Sequence, residues 1–390
     1  MTPYNPSVVS YFGETTYHRS HTRFGIRQAD RLTHLYILGQ TGVGKSHLIE
    51  TLLRQDLAAG RGCALIDPHG DLVERIWASA PEALRERITY LNAPDPTQPF
   101  GYNPVRRVRD DYIPLAAAGT LEALRKLWPN AWGVRMEHVL RNCLYALLER
   151  DGSTLLDVLR LFSEKAFRKQ VARGVRNDVV RTFWKTEFED YPARLRAEAI
   201  APIQNKLGAM LADPLLHRIL VDPMADVRFR SLMDDGRVLL VNLAKGRLGE
   251  DASAILGGLL VSVLGLAAFS RADLPVAQRR PFFLYVDEFQ SFTTLAFVNM
   301  MSELRKYGVG LTLAHQHLQQ LEPEIRHAVL GNAGTLVSFR VGAEDAPVLA
   351  SELQPVFGVV DLLNLPNRRF YLKLMIDGEP SRPFSAQTVA

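Results

Sequence analysis

Cysteine is nearly absent from this 390-residue chain, which carries only Cys63 and Cys143. Their spacing fits neither a metal-ligand pair nor a redox motif, so a disulfide framework and a zinc–cysteine site are excluded. A reduced, cytosolic setting follows. Charge of one sign is also lacking, with a net charge of +4 and a pI near 9.0. That balance permits contact with nucleic acid or an anionic membrane but demands neither. The first residues show no basic stretch leading into an apolar run, so no signal peptide is expected. Internal repeats and low-complexity tracts are absent. Long apolar runs are limited to one, 253–270 (SAILGGLLVSVLGLAAFS), which approaches the lower length limit of a membrane span. Glu250, Asp251 and Arg271 bound it and it lies between two strand-like segments, so a buried crossover helix is the better reading. The expectation is a soluble chain with no transmembrane segment of its own.

What is present is an alternation of apolar strands and helices. Segments 33–39, 63–68 and 88–92 read as strands, with helices at 45–59 and near 70–79. After an interruption, strands are expected at 237–244, 282–289, 310–316, 335–341 and 370–377. Such runs predict an α/β fold with a mostly parallel central sheet covered on both faces. The interruption has helical periodicity and no convincing strand. In 136–149, for instance, Val139, Leu140, Cys143, Leu144 and Leu147 share one face. The expected organisation is an N-terminal segment (1–32), a nucleotide-binding domain in two parts (33–109 and 236–390), and an all-α insertion (110–235).

The most specific motif is GQTGVGKS, which places Gly39, Gly44, Lys45 and Ser46 in the pattern G-x-x-x-x-G-K-[ST] at a strand–helix junction. Glycines there let backbone N–H groups converge on phosphates at a helix N-terminus. The nucleotide-binding set is therefore Gly39, Gln40, Thr41, Gly42, Val43, Gly44, Lys45, Ser46 and His47, with ATP and Mg²⁺ as cofactors. Lys45 is expected to reach the β- and γ-phosphates, and Ser46 to ligate Mg²⁺. In FFLYVDEF, Asp287 ends an apolar strand and is the second metal residue. Glu288 follows it as candidate general base. Gln316 ends the next strand and is a candidate γ-phosphate sensor. His315 and His317 beside it are not assigned to a metal. Arg305 and Arg340 are the candidates for an arginine finger acting on a neighbouring subunit, though any one arginine is a weak signal among 46 basic residues.

Two further features bear on what such a motor moves. Lys165, Lys169, Arg173 and Arg176 would form a positive stripe on one helical face if the helix continues past Gly174. Trp128, Trp132 and Trp184 read as core rather than as base-stacking platforms. A second basic loop, 244–251, offers Lys245 and Arg247 at the end of a strand.

Taken in order, HLYILGQTGVGKSHLIE, ALIDPHGDL, PFGYNPV, RVLLVNLAKGRLGE, FLYVDEFQSF, RKYGVGLTLAHQ and GNAGTLVSFRVGAEDA resemble the TraG/TraD-like coupling ATPases of type IV secretion, within the HerA–FtsK class of pumping motors. The resemblance runs from about Phe24 to the C-terminus. It implies a RecA-like domain interrupted by an all-α domain, a hexameric homo-oligomeric ring with ATP sites between subunits, and delivery of DNA, often with a relaxase, to channel proteins. It also implies that Arg305 is the finger in trans and Gln316 the sensor. Asp67 and His69 match a family motif, while the residues themselves yield only a strand end and a turn. The chain departs from the pattern in having neither the transmembrane helices of many coupling proteins nor the N-terminal β-barrel of HerA-type translocases. Placement is then cytoplasmic, at the inner face of the membrane through partner proteins. Other readings are a HerA-like translocase in DNA processing or phage defence with a nuclease, a secretion-assembly ATPase acting on protein, and a scaffold that binds ATP without cycling. The acidic Glu288 argues against the scaffold.

Overall fold

A computed structural model describes residues 5–16, 21–128, 130 and 132–389. The chain divides into two compact units. The first, Met1–Asn92, Arg230–Ala244 and Ala268–Ala390, is built on an eleven-stranded sheet. In chain order its strands are β1 Val9–Thr15, β2 Arg23–Arg27, β3 Leu35–Leu38, β4 Gly62–Asp67, β5 Ile88–Asn92, β6 Val238–Asn242, β7 Phe282–Val286, β8 Val309–His315, β9 Thr335–Ser338, β10 Arg369–Lys373 and β11 Phe384–Thr388. Their spatial order is β2-β1-β11-β10-β9-β3-β8-β7-β4-β6-β5.

Every pairing from β9 through β5 is parallel. The four strands on the other side join antiparallel. The reason lies in the residues. Strands β3, β4, β6, β7 and β8 are buried at every position, as continuous apolar runs covered on both faces must be. Leu48, Leu52, Leu72, Val73 and Ile76, from helices Lys45–Ala58 and Asp71–Ser79, pack into the same core. The mostly parallel α/β sheet is the fold class expected.

Of the four strands on the antiparallel side, only β10 was expected, within 370–377. Strands β1 and β2 lie in the stretch treated as an N-terminal segment, and β11 lies at the other terminus. Strand β1 alternates intermediate, buried and exposed positions, a weaker pattern than a long apolar run. Arg31, just beyond β2, is fixed in the interior by Asp56, its Nη1 and Nη2 donating to the two carboxylate oxygens at 2.7 and 2.8 Å. Tyr285 donates to the same carboxylate at 2.5 Å, and Arg61 Nε does so at 2.6 Å. This cluster ties the segment after β2 to β7 and to helix Lys45–Ala58.

The second unit comprises Ala93–Phe229 and Lys245–Ala267. It therefore begins before residue 110 and takes in most of the apolar helix Glu250–Phe269, which the sequence bounds left with the sheet. That helix shows little amphipathicity, and within its unit Tyr102 Oη donates to the Leu256 carbonyl at 2.7 Å. Of the helical span from Glu250 to Asp273, 83% of the most apolar window is buried within the protein. Its length and composition alone would allow it to cross a membrane; its burial is that of a core helix. Trp184 and Trp128 are core residues of this unit, and Trp132 donates to Glu137 at 2.7 Å. The four-residue positive stripe does not form. Helix Lys165–Gly174 ends before Arg176, which pairs with Asp110 and Glu149, and Lys165 lies 3.6 Å from Glu189.

Candidate nucleotide site

The site grows from the ends of three neighbouring strands. Strands β3, β8 and β7 run parallel side by side, so their C-terminal ends deliver the glycine loop, Gln316 and Asp287-Glu288 to one edge of the sheet. This is where open α/β sheets collect their ligands.

The loop after β3 turns sharply. Gly42 has φ +78° and Gly44 has φ +124°, the second lying where only glycine is unstrained. A Cβ on Gly39 would stand 2.6 Å from Cβ of Phe339, so that position also requires the bare backbone. Lys45 opens the helix that follows. Its Nζ donates to the carbonyls of Gly39 at 2.6 Å and Gln40 at 3.1 Å, bracing the loop from within. Burial lowers the Lys45 pKa, and the charges of Glu288 and Asp287 oppose that shift.

Ser46 Oγ donates to Asp287 Oδ2 at 3.2 Å. Burial drives the Asp287 pKa up to about 6, with the neighbouring charges of Glu288 and Asp67 adding to it. A buried carboxylate crowded by carboxylates and facing a hydroxyl is a hard-oxygen set that suits a divalent cation such as Mg²⁺.

Glu288 adopts the left-handed region, φ 46° and ψ 48°, uncommon for a residue with a long side chain. Its amide donates to Asp287 Oδ1 at 3.0 Å. Gln316 Nε2 donates to Glu288 Oε1 at 2.7 Å, and Gln290 Nε2 donates to Oε2 at 2.7 Å. Thr41 Oγ1, on the glycine loop, donates to Gln316 Oε1 at 2.8 Å. A continuous hydrogen-bonded path therefore runs from the loop to the acidic pair.

The other candidate residues fall in different places. Arg340 is next to the loop of its own chain, with Nε donating to Gln40 Oε1 at 3.2 Å and Nη1 to the Leu365 carbonyl at 3.1 Å. Arg305 sits exposed at the start of a short helical turn before β8, close enough to His34 for its charge to help lower that ring's pKa. Seven strand residues then separate it from Gln316, about 20 Å along the sheet. His47 bonds through Nε2 to the Val389 carbonyl at 3.0 Å, so its side chain holds the C-terminal strand. His315 is buried against Tyr36 and burial lowers its pKa to about 3. Among the described residues no cluster of His, Cys, Asp and Glu forms a metal site of its own.

The roles of three further residues come from the geometry, and of these only Asp67 was singled out by the sequence, as part of a family motif. Asp67 accepts the backbone N–H groups of His69, Leu72 and Val73 at 2.9, 2.9 and 3.1 Å, capping helix Asp71–Ser79 beside Asp287. Arg368, at φ +66°, donates its backbone N–H to the Val43 carbonyl at 2.7 Å and so supports the glycine loop from a distant segment. Gln290 carries no motif signal beyond its position two residues after Glu288.

The model described as "Helicase HerA, central domain" matches residues 12–247. The one described as "TraM recognition site of TraD and TraG" matches residues 281–353. No curated protein sequence gives a match. Among solved structures, the unbound bacterial conjugative coupling protein TrwBdeltaN70 superposes with a TM-score of 0.69 at 17% identity, covering 100% of this chain and 89% of that one. The plasmid coupling protein TrwB in complex with ADP and Mg²⁺ gives 0.70 at 16% identity, covering 100% and 97%. VirB4 of Thermoanaerobacter pseudethanolicus gives 0.67 at 15% identity, covering 100% and 98%.

Proposed function

The chain belongs to the family of the HerA helicase central domain, and we propose on that footing that it is an ATP-hydrolysing motor of the type IV secretion coupling class. It drives DNA, alone or with an attached protein, towards a secretion channel. The observation that carries this reading is the single edge of the sheet where Lys45, Ser46, Asp287, Glu288 and Gln316 meet, with Ser46 3.2 Å from Asp287 and Gln316 2.7 Å from Glu288.

In this reading the backbone of Gly39–Ser46 receives the phosphates of ATP, and Lys45 exchanges its carbonyl partners for β- and γ-phosphate oxygens. Ser46 and Asp287 hold Mg²⁺, which neutralises charge building on the transferred phosphoryl group. Glu288 takes the proton of the attacking water as general base. Gln316, linked to the glycine loop through Thr41, reports the state of the γ-phosphate to Glu288. The motor works as a homo-oligomeric ring, hexameric as in the coupling class, and Arg305, remote from its own chain's site, reaches the site of the adjacent subunit. It acts on the cytoplasmic side of the membrane beside its relaxase and channel partners.

The two conjugative TrwB structures, matched along the whole chain, favour secretion as the setting. The match to the HerA central domain favours a second reading, the same motor paired with a nuclease in DNA processing. The test is ATP turnover with and without single- and double-stranded DNA. DNA should stimulate turnover, and the stimulation should fall steeply between about 50 and 200 mM salt as phosphate contacts are screened. Turnover unaffected by either form of DNA at low salt would overturn the assignment of DNA as cargo.

A further inference from the structure

Glu288 is gripped at both carboxylate oxygens, and the two grips come from different elements. Gln316 holds Oε1 from the end of β8. Gln290 holds Oε2 from the short turn Phe289–Ser291 that directly follows Glu288. The glutamate backbone is in the left-handed region, which turns its side chain out of the course of the strand. Backbone strain of this kind persists where surrounding structure fixes it, and it clusters at working sites. A carboxylate on a flexible side chain with one donor can rotate about its last bonds. With two donors on opposite oxygens its plane is fixed.

We propose that Gln290 is a positioning residue for ATP hydrolysis: its side-chain amide, paired with that of Gln316, sets the orientation in which Glu288 accepts the proton of the attacking water. The inference rests on the reading of Glu288 as general base. Gln316 is linked to the glycine loop through Thr41 and so moves with the phosphate end of the site. The Gln290 amide meets Glu288 from the short turn that directly follows it, a grip local to the glutamate, whereas that of Gln316 comes from the strand end tied to the glycine loop. A base misplaced by about 1 Å loses much of its effect, which makes such a fixed contact worth a measurable part of the rate.

The experiment compares the full chain with Gln290→Met, Gln290→Asn and Glu288→Gln. Methionine keeps the length and volume of glutamine and removes the donor. Asparagine keeps the donor on a shorter stem. Turnover of ATP, ATP dissociation constants and thermal melting are measured for each. The expected result is a fall in kcat of about ten-fold for Gln290→Met, a fraction of the 10²–10⁴ that general-base catalysis supplies. ATP affinity and melting temperature stay at the wild-type values, and Gln290→Asn recovers part of the loss. Wild-type kcat in Gln290→Met, alongside an inactive Glu288→Gln, would overturn the role of Gln290 and leave the base in place. An active Glu288→Gln would instead remove the reading on which it rests.

Discussion

His34 and His315 are buried rings whose neutrality is built into the core. Burial lowers their pKa values to about 4 and about 3. His34 accepts the Leu311 N–H on Nδ1 at 3.1 Å, and its Nε2 lies 2.9 Å from the Met301 carbonyl, an arrangement that a second ring proton would break. Both folded values lie below the ordinary histidine value near 6.5. The stabilisation from each ring is therefore complete above about pH 6.5 and is lost as pH falls towards 4 and 3, where the unfolded chain binds protons that the folded chain refuses. Each contributes a slope of about 1.4 kcal/mol per pH unit in that window. Chemical denaturation from pH 7 to pH 4.5 should show this loss, and His315→Asn should flatten the slope by about one proton. An unchanged slope would mean that His315 is charged in the folded state.

At the scale of elements, the Arg31–Asp56–Arg61–Tyr285 cluster joins the segment after β2, the helix of the glycine loop and β7. Asp56 is fully buried, so removing its charge strands Arg31 in the interior. Asp56→Ala should cost about 3–5 kcal/mol, read as a lower denaturation midpoint. Arg31→Met with Asp56→Leu together should restore part of it. A single Asp56→Ala that melts like the wild type would show that the cluster carries no stability.

The same cluster marks what the sequence did and did not disclose. Strands β3, β4, β6, β7 and β8 were legible because burial on both faces demands unbroken apolar runs, and the glycine loop was legible because phosphate chemistry dictates its residue types. Strands β1, β2 and β11 were not. They are antiparallel strands with mixed exposure, and their place is fixed by contacts such as Arg31–Asp56 between residues 25 apart. In the candidate site, motif and strand end singled out Lys45, Ser46, Asp287, Glu288 and Gln316, which the fold brings to one edge of the sheet. Thr41 as the link to Gln316, Asp67 as a helix cap and Gln290 as a second grip are products of side-chain geometry, which no spacing rule encodes. The positive stripe depended on a helix unbroken past Gly174; there the chain leaves the helix, and Arg176 meets Asp110 and Glu149.

For the whole molecule, the distance of Arg305 from its own chain's glycine loop is the telling feature. An arginine at the N-terminal end of β8 lies a strand's length from the glycine loop at the other end. If it completes the neighbouring site, Arg305→Ala and Lys45→Ala subunits are each inactive alone. Mixed in one ring, they should recover part of the activity, because some interfaces then pair an intact loop with an intact arginine. No recovery in a confirmed mixed assembly would place the finger elsewhere, with Arg340 remaining as a contributor to its own loop.

The most direct test of the central claim is ATP hydrolysis by the wild-type chain set against Lys45→Ala and Glu288→Gln, with nucleotide binding measured on the same samples. The account predicts Mg²⁺-dependent turnover in the wild type, with no turnover and weakened ATP binding in Lys45→Ala. Glu288→Gln should bind ATP normally with turnover reduced about 10²-fold or more. Turnover at the wild-type level in both variants would contradict it.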